Sequence, residues 1–220
     1  MKRQKNHSKI YKIDGVGVNL EKFYPVKSIE EKQILRGKKG FSANDFILIY
    51  TAEFIPRKNH KLLFDILPKL KNKIPTLKII FCGKGELLEN YKEFAKKNTM
   101  DYVIFTGYTK EVADYCRLSD VLVMPSLQEG LPMAMIEAIA TGLPVVASKI
   151  RGHIDVIASN EYGFLCNLTD KEGFCDAIFK LYSNEDLRKA IGLNNIERAK
   201  IYSVDIAVSK MAEIYLSCIN

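Results

Sequence analysis

Long apolar runs, clustered metal ligands and paired cysteines are all missing from this 220-residue sequence. No stretch approaches the ~18 consecutive apolar residues of a membrane-spanning helix, and the basic N-terminus shows no secretory signal pattern. The expected location is the cytoplasm, with peripheral contact at the inner membrane face as a further option. The three histidines, His7, His60 and His153, form no ligand-spaced cluster, and no C-x-x-C pair occurs. A metal site is therefore not expected. Cys82, Cys116, Cys166, Cys175 and Cys218 are odd in number and widely spaced, mostly in apolar surroundings. Free, buried thiols follow from that placement. Internal repeats and low-complexity segments are lacking too.

What is present is an ordinary globular composition, 47% hydrophobic, enough for one substantial domain. The net charge of +7 is unevenly placed. Residues 1–40 carry 11 Lys/Arg against 4 Asp/Glu, a balance of +7, and residues 41–220 carry 22 of each. The basicity thus belongs to an N-terminal extension, read as a solvated arm or as a contact for an acidic surface such as anionic lipid or a partner domain. Nucleic acid is set aside, because no aromatic-rich binding motif accompanies the charge.

From about residue 45, strand-length apolar runs alternate with helix-period segments. Phe46–Tyr50 has a fully buried strand pattern, followed by residues 59–70 with Leu62, Leu63, Ile66, Leu67 and Leu70 at helical spacing. The pattern recurs with strands at Leu77–Cys82, Tyr102–Thr106, Val121–Met124 and Val145–Ala147 and helices at Glu86–Lys97 and Lys110–Leu118. Continuous apolar strands between amphipathic helices predict a Rossmann-like α/β domain, a parallel sheet with helices on both faces. Its ligand site should lie at the carboxyl ends of the strands. After Arg151 the pattern predicts helices only, at Lys171–Ser183, Glu185–Ala199 and Asp205–Cys218. The division expected is a basic extension over 1–40 with one helix near Ile29–Arg36, a Rossmann-like domain over 41–200, and a C-terminal helix over 201–220.

The chemistry-bearing stretch is Pro125-Ser126-Leu127-Gln128-Glu129-Gly130-Leu131-Pro132-Met133-Ala134-Met135-Ile136-Glu137-Ala138. Glu129 sits in a Gly/Pro loop, and Glu137 in a short helix opening near Pro132. Six residues of helix rise only about 7.5 Å, so the two carboxylates can bracket a ligand the length of a phosphorylated sugar. The helix start between them favours an anion. Two hydroxyl acceptors flanking an anion site suit a nucleotide-sugar.

Phe105-Thr106-Gly107, Ser119–Ser126, Glu129-Gly130-Leu131-Pro132, Glu137-Ala138 and Thr141-Gly142-Leu143-Pro144-Val145-Val146-Ala147 occur in the order found in retaining glycosyltransferases. The chain resembles the C-terminal, donor-binding half of a family 4 enzyme of the GT-B fold. Asp14-Gly15-Val16-Gly17-Val18 and Phe23-Tyr24-Pro25 resemble the linker at which that half begins. The resemblance implies that Glu129 accepts hydrogen bonds from the donor sugar and Glu137 from the ribose. It implies that backbone N–H groups of Gly130 and Leu131 meet the sugar or distal phosphate, and that Lys58 neutralises the departing diphosphate. Gly83 would admit the nucleoside closely, and Tyr108 follows Gly107, where the base is read largely through backbone atoms. Glu53 stands where relatives often carry an arginine paired with this lysine; Arg57 is the candidate replacement. His153 is read as a helix-start or packing residue, and Met133 and Met135 as packing residues.

The resemblance further implies glycosyl transfer from a UDP- or GDP-sugar to a saccharide or lipid-linked acceptor, in polysaccharide or glycolipid synthesis. Neither a cofactor nor a metal is implied. A GT-B enzyme has two such domains and 220 residues hold one, so little activity is expected from this chain alone. Two alternatives stay open: a donor-binding subunit that assembles with a separate acceptor chain, and a sugar-nucleotide epimerase of similar architecture.

Overall fold

In the computed structural model, residues 11, 13 and 17–219 are described. The basic residues 1–10 and Asp14, Gly15 and Val16 of the linker motif lie outside them. The chain runs through α1 (Ile29–Lys38), β1 (Phe46–Thr51), a 3-10 turn (Pro56–Lys58), α2 (His60–Lys73), β2 (Leu77–Cys82), α3 (Leu88–Lys97) and β3 (Val103–Gly107). It continues through α4 (Val112–Leu118), β4 (Val121–Met124), α5 (Met133–Ala140), β5 (Val145–Ser148), α6 (Arg151–Val156) and β6 (Gly163–Cys166). Three helices close it: α7 (Lys171–Ser183), α8 (Glu185–Lys200) and α9 (Val204–Ile219).

The strands form one sheet in the order β3-β2-β1-β4-β5-β6, every pair parallel. This is the doubly wound Rossmann-like arrangement expected. Residues of β1, β2, β4 and β5 are almost wholly buried, because helices cover both faces and leave no side for polar alternation. The chain reverses its winding between β1 and β4. Ligands of such sheets bind at that switch point, outside the carboxyl ends of the strands.

One strand goes beyond the sequence pattern. β6 is four residues long at the sheet edge and half-buried at its two middle positions, too short and mixed for a strand signal. Helix α6, six residues, is likewise absent from the pattern.

Helix α1 is tied to the sheet by charge. Arg36, 5% exposed, donates to Asp120 at 2.7 Å and to the carbonyls of Leu118, Ala43 and Asp45. Lys32 reaches the other Asp120 oxygen at 2.7 Å, and Ile47 N–H donates to the same carboxylate at 2.8 Å. Burial pushes the Asp120 carboxyl up, but the Lys32 and Arg36 charges outweigh it and hold it below the usual range. Two cations expected in a solvated arm are thus fixed structural charges. The thiols are free as expected, and Cys82, Cys116, Cys166 and Cys175 are buried; Cys218, expected to be buried with them, is exposed on the last helix, α9.

Candidate functional site

Two loops leave the sheet at the switch point. Residues 52–59 follow β1, and residues 125–132 follow β4. Hydrogen bonds join them directly and through Tyr50 of β1. The Tyr50 hydroxyl donates to the Lys58 carbonyl at 2.8 Å and lies 2.9 Å from Ser126 Oγ. Since a carbonyl only accepts and the phenol has one proton, Ser126 must donate to Tyr50. Asn59 Nδ2 donates to the Pro125 carbonyl at 3.1 Å, and Leu127 N–H to the Arg57 carbonyl at 2.8 Å. Burial raises the Tyr50 phenol far above its ordinary range, so it stays a neutral donor.

Across this join Lys58 Nζ meets Glu129 Oε1 at 2.6 Å, with side chains 14% and 7% exposed. The guanidinium of Arg57, half exposed, stands 3.8 Å from the other Glu129 oxygen. Gly152 at the start of α6 holds the Glu129 loop from below. A Cβ there would sit 2.1 Å from the Gly130 carbonyl oxygen and 2.9 Å from that of Glu129. Only glycine permits this approach.

Glu137 lies half-buried on α5. Among the described residues nothing hydrogen-bonds its carboxylate. Burial pushes its pKa up, and Lys22 pulls it partly back. The N–H groups of Gly130 and Leu131 likewise have no backbone or side-chain acceptor among the described residues. Both residues are exposed, directly before α5. The predicted helix start is present, with Pro132 as its cap residue and Met133 the first helical position.

The next loop, Gly83-Lys84-Gly85, packs on the first. Phe54 N–H donates to the Lys84 carbonyl at 2.9 Å, and a Cβ on Gly83 would lie 1.9 Å from the Ala52 oxygen. Loop-to-loop packing alone accounts for glycine at position 83. Tyr108 is 71% exposed, with Lys84 Nζ 5.8 Å from its ring centre. Glu53 is exposed and makes no ion pair among the described residues.

His153 is fully buried, its Nδ1 2.8 Å from the Ser148 carbonyl. That contact makes Nδ1 the protonated nitrogen and leaves Nε2, which has no partner, as the acceptor. It packs beneath the site, as expected. Sequence reasoning missed Tyr50, Ser126, Asn59 and Lys22. The only available signal was the phenol that ends the apolar run Phe46–Tyr50, and it pointed to Tyr50 alone.

A cavity of about 560 Å³ lies elsewhere, at the amino ends of the strands between α1 and α8. Its cations are engaged: Lys32 and Arg36 by Asp120, Lys189 by Glu185, Arg117 by Asp114, and Arg188 by the carbonyls of Leu181 and Tyr182. At the opposite end, among the described residues, the Glu137 carboxylate and the Gly130 and Leu131 N–H groups have no hydrogen-bond partner. Among the described residues no three His, Cys, Asp or Glu side chains gather as a metal ion would require. No described helix is long and apolar enough to cross a membrane.

The fold is that of one Rossmann-like half of the GT-B architecture. The chain belongs to the family Glycosyl transferases group 1, whose pattern matches residues 31–198. It is 37% identical over 213 residues to EpsD of Bacillus subtilis (strain 168), assigned as a glycosyltransferase with no substrate in its name. That match covers 96% of this chain and 56% of EpsD. It is 29% identical over 210 residues to the UDP-Gal:alpha-D-GlcNAc-diphosphoundecaprenol alpha-1,3-galactosyltransferase of Escherichia coli, covering 92% of this chain and 53% of that one. The chain therefore spans about half the length of these curated relatives. In fold it matches the crystallised C-terminal domain of the group 1 family protein LpcC from Francisella tularensis, with a TM-score of 0.75 at 23% identity. There 86% of this chain covers 100% of that domain.

Proposed function

We propose that this chain is the donor-binding half of a retaining glycosyltransferase that uses a UDP- or GDP-sugar in polysaccharide or glycolipid synthesis. The observation that carries the reading is the free half-buried carboxylate of Glu137 on one side of a helix start, with Lys58 and Glu129 on the other. Ribose hydroxyls donate to Glu137, and donor sugar hydroxyls to Glu129. The Gly130 and Leu131 N–H groups receive sugar or phosphate oxygens. Lys58, aided by Arg57, offsets the charge that grows on the diphosphate as the sugar leaves. With Glu53 in place of a cation, these two carry that work, and neither a metal nor a cofactor takes part. Gly83 and Tyr108 border the nucleoside end.

The acceptor, a saccharide or lipid-linked saccharide, binds on a second half supplied in the same polypeptide or as a separate chain. The apolar exposure of α9 favours such a half. Val208, Tyr215 and Leu216 are each more than 60% exposed, and α9 has no buried residue.

Titration calorimetry of the purified chain with UDP, GDP, ADP and their sugar conjugates tests this reading. A UDP or GDP ligand should bind, and Glu137→Ala should weaken it about tenfold, the worth of a charge-assisted hydrogen bond. Unchanged affinity for every nucleotide would remove Glu137 from the ribose.

A further inference from the structure

The two groups assigned above to different parts of the donor, Lys58 to phosphate and Glu129 to sugar, are bonded to each other at 2.6 Å. Their backbones are not free to part. The Tyr50 and Asn59 side chains and the Leu127–Arg57 bond hold the loops together, and Gly152 packs against the Glu129 backbone. Any ligand that takes one partner must therefore swing a side chain away from the other. The separation then leaves an almost buried charge, at 14% or 7% exposure, without the partner it holds at 2.6 Å. Arg57 then remains to Glu129 as a longer contact, at 3.8 Å, from a guanidinium that is half exposed and screened by solvent.

Resting on the donor-site reading, we propose that the Lys58–Glu129 pair makes the site select the sugar-bearing nucleotide over the bare nucleoside diphosphate. A bare diphosphate draws Lys58 away and strands Glu129, which is unfavourable for a nearly buried carboxylate. A sugar nucleotide serves both groups at once, phosphate for Lys58 and hydroxyl donors for Glu129. Once the glycosyl group has gone, the hydroxyl donors have gone with it. Glu129 reclaims Lys58, and the spent nucleotide is released.

The test is calorimetry with bare UDP and GDP on the wild type, Glu129→Gln, Lys58→Met and the double variant, each checked for folding by circular dichroism. The neutral amide of Glu129→Gln no longer holds Lys58, so the bare nucleotide that binds wild type should bind this variant about tenfold more tightly. Glu129→Asp, whose shorter carboxylate draws back from Lys58, should tighten it less, and serves if the amide is not tolerated. The gain must vanish in the Lys58→Met background, a coupling that general loosening of the loop would not produce. Unchanged or weaker UDP and GDP binding by folded Glu129→Gln and Glu129→Asp overturns the inference while leaving the donor site standing. So does an equal gain in the Lys58→Met background. If no nucleotide or sugar conjugate binds any of these proteins, the donor-site reading falls, and the inference with it.

Discussion

Tyr50 shows how much a single buried hydroxyl settles at this site. Its phenol joins the Lys58 carbonyl to Ser126, so Tyr50→Phe leaves a carbonyl and a hydroxyl without their partner. Chemical denaturation should show a loss of about 1–3 kcal/mol; a neutral result would mean that the join is dispensable. His60 makes a pH prediction. It is 1% exposed, stacked 4.1 Å from the Phe54 ring, with neither nitrogen partnered. Burial, helped by Lys58, lowers its pKa from 6.5 to about 3. The unfolded chain therefore binds a proton that the folded chain refuses. Stability is fully present above pH 6.5 and is lost as pH falls toward 3, by up to about 1.4 kcal/mol per pH unit. His60→Phe should flatten that part of the stability curve; an unaltered slope would mean that His60 protonates without unfolding. At this scale Glu129 and Glu137 stand out in the sequence through their placement among glycines and prolines, and Lys58 only through the family resemblance. That Tyr50 meets Ser126, or that Lys22 faces Glu137, is not legible, since those pairings exist only once the sheet has formed.

Among the elements, α1 carries the sharpest test. Asp120 holds both Lys32 and Arg36 and caps Ile47 N–H at the base of β1. Asp120→Ala would leave two poorly exposed cations without a counter-charge, a loss of about 3–5 kcal/mol, measurable by urea unfolding. A loss below about 1 kcal/mol would mean that α1 is not integral to the domain. The first five strands and the larger helices are legible because apolar runs and helical spacing repeat cleanly. β6 is not: its four residues gain their strand geometry from pairing with Val145–Ser148 along the sheet edge, not from any pattern of their own. The helix at Ile29–Lys38 is legible, but its anchoring is not, because a basic segment reads as solvated until its acidic partner 84 positions away comes into contact.

At the scale of the whole molecule, this chain is about half the length of its curated relatives and carries in α9 a helix without a buried residue. Removing residues 204–220 should therefore lower the melting temperature by less than about 4 °C, the shift expected for about 1 kcal/mol in a chain of this size. A collapse of the folding transition would instead place α9 in the core of this domain. The proposed donor site puts the deciding observation at the carboxyl ends of β1 and β4. That observation is a crystal structure of the chain with the nucleotide-sugar that binds it best in titration. The diphosphate is expected within hydrogen-bonding distance of Lys58, the ribose on Glu137 and the sugar on Glu129. A nucleotide seated in the cavity between α1 and α8, or one touching neither Glu137 nor Lys58, would contradict the assignment of this site.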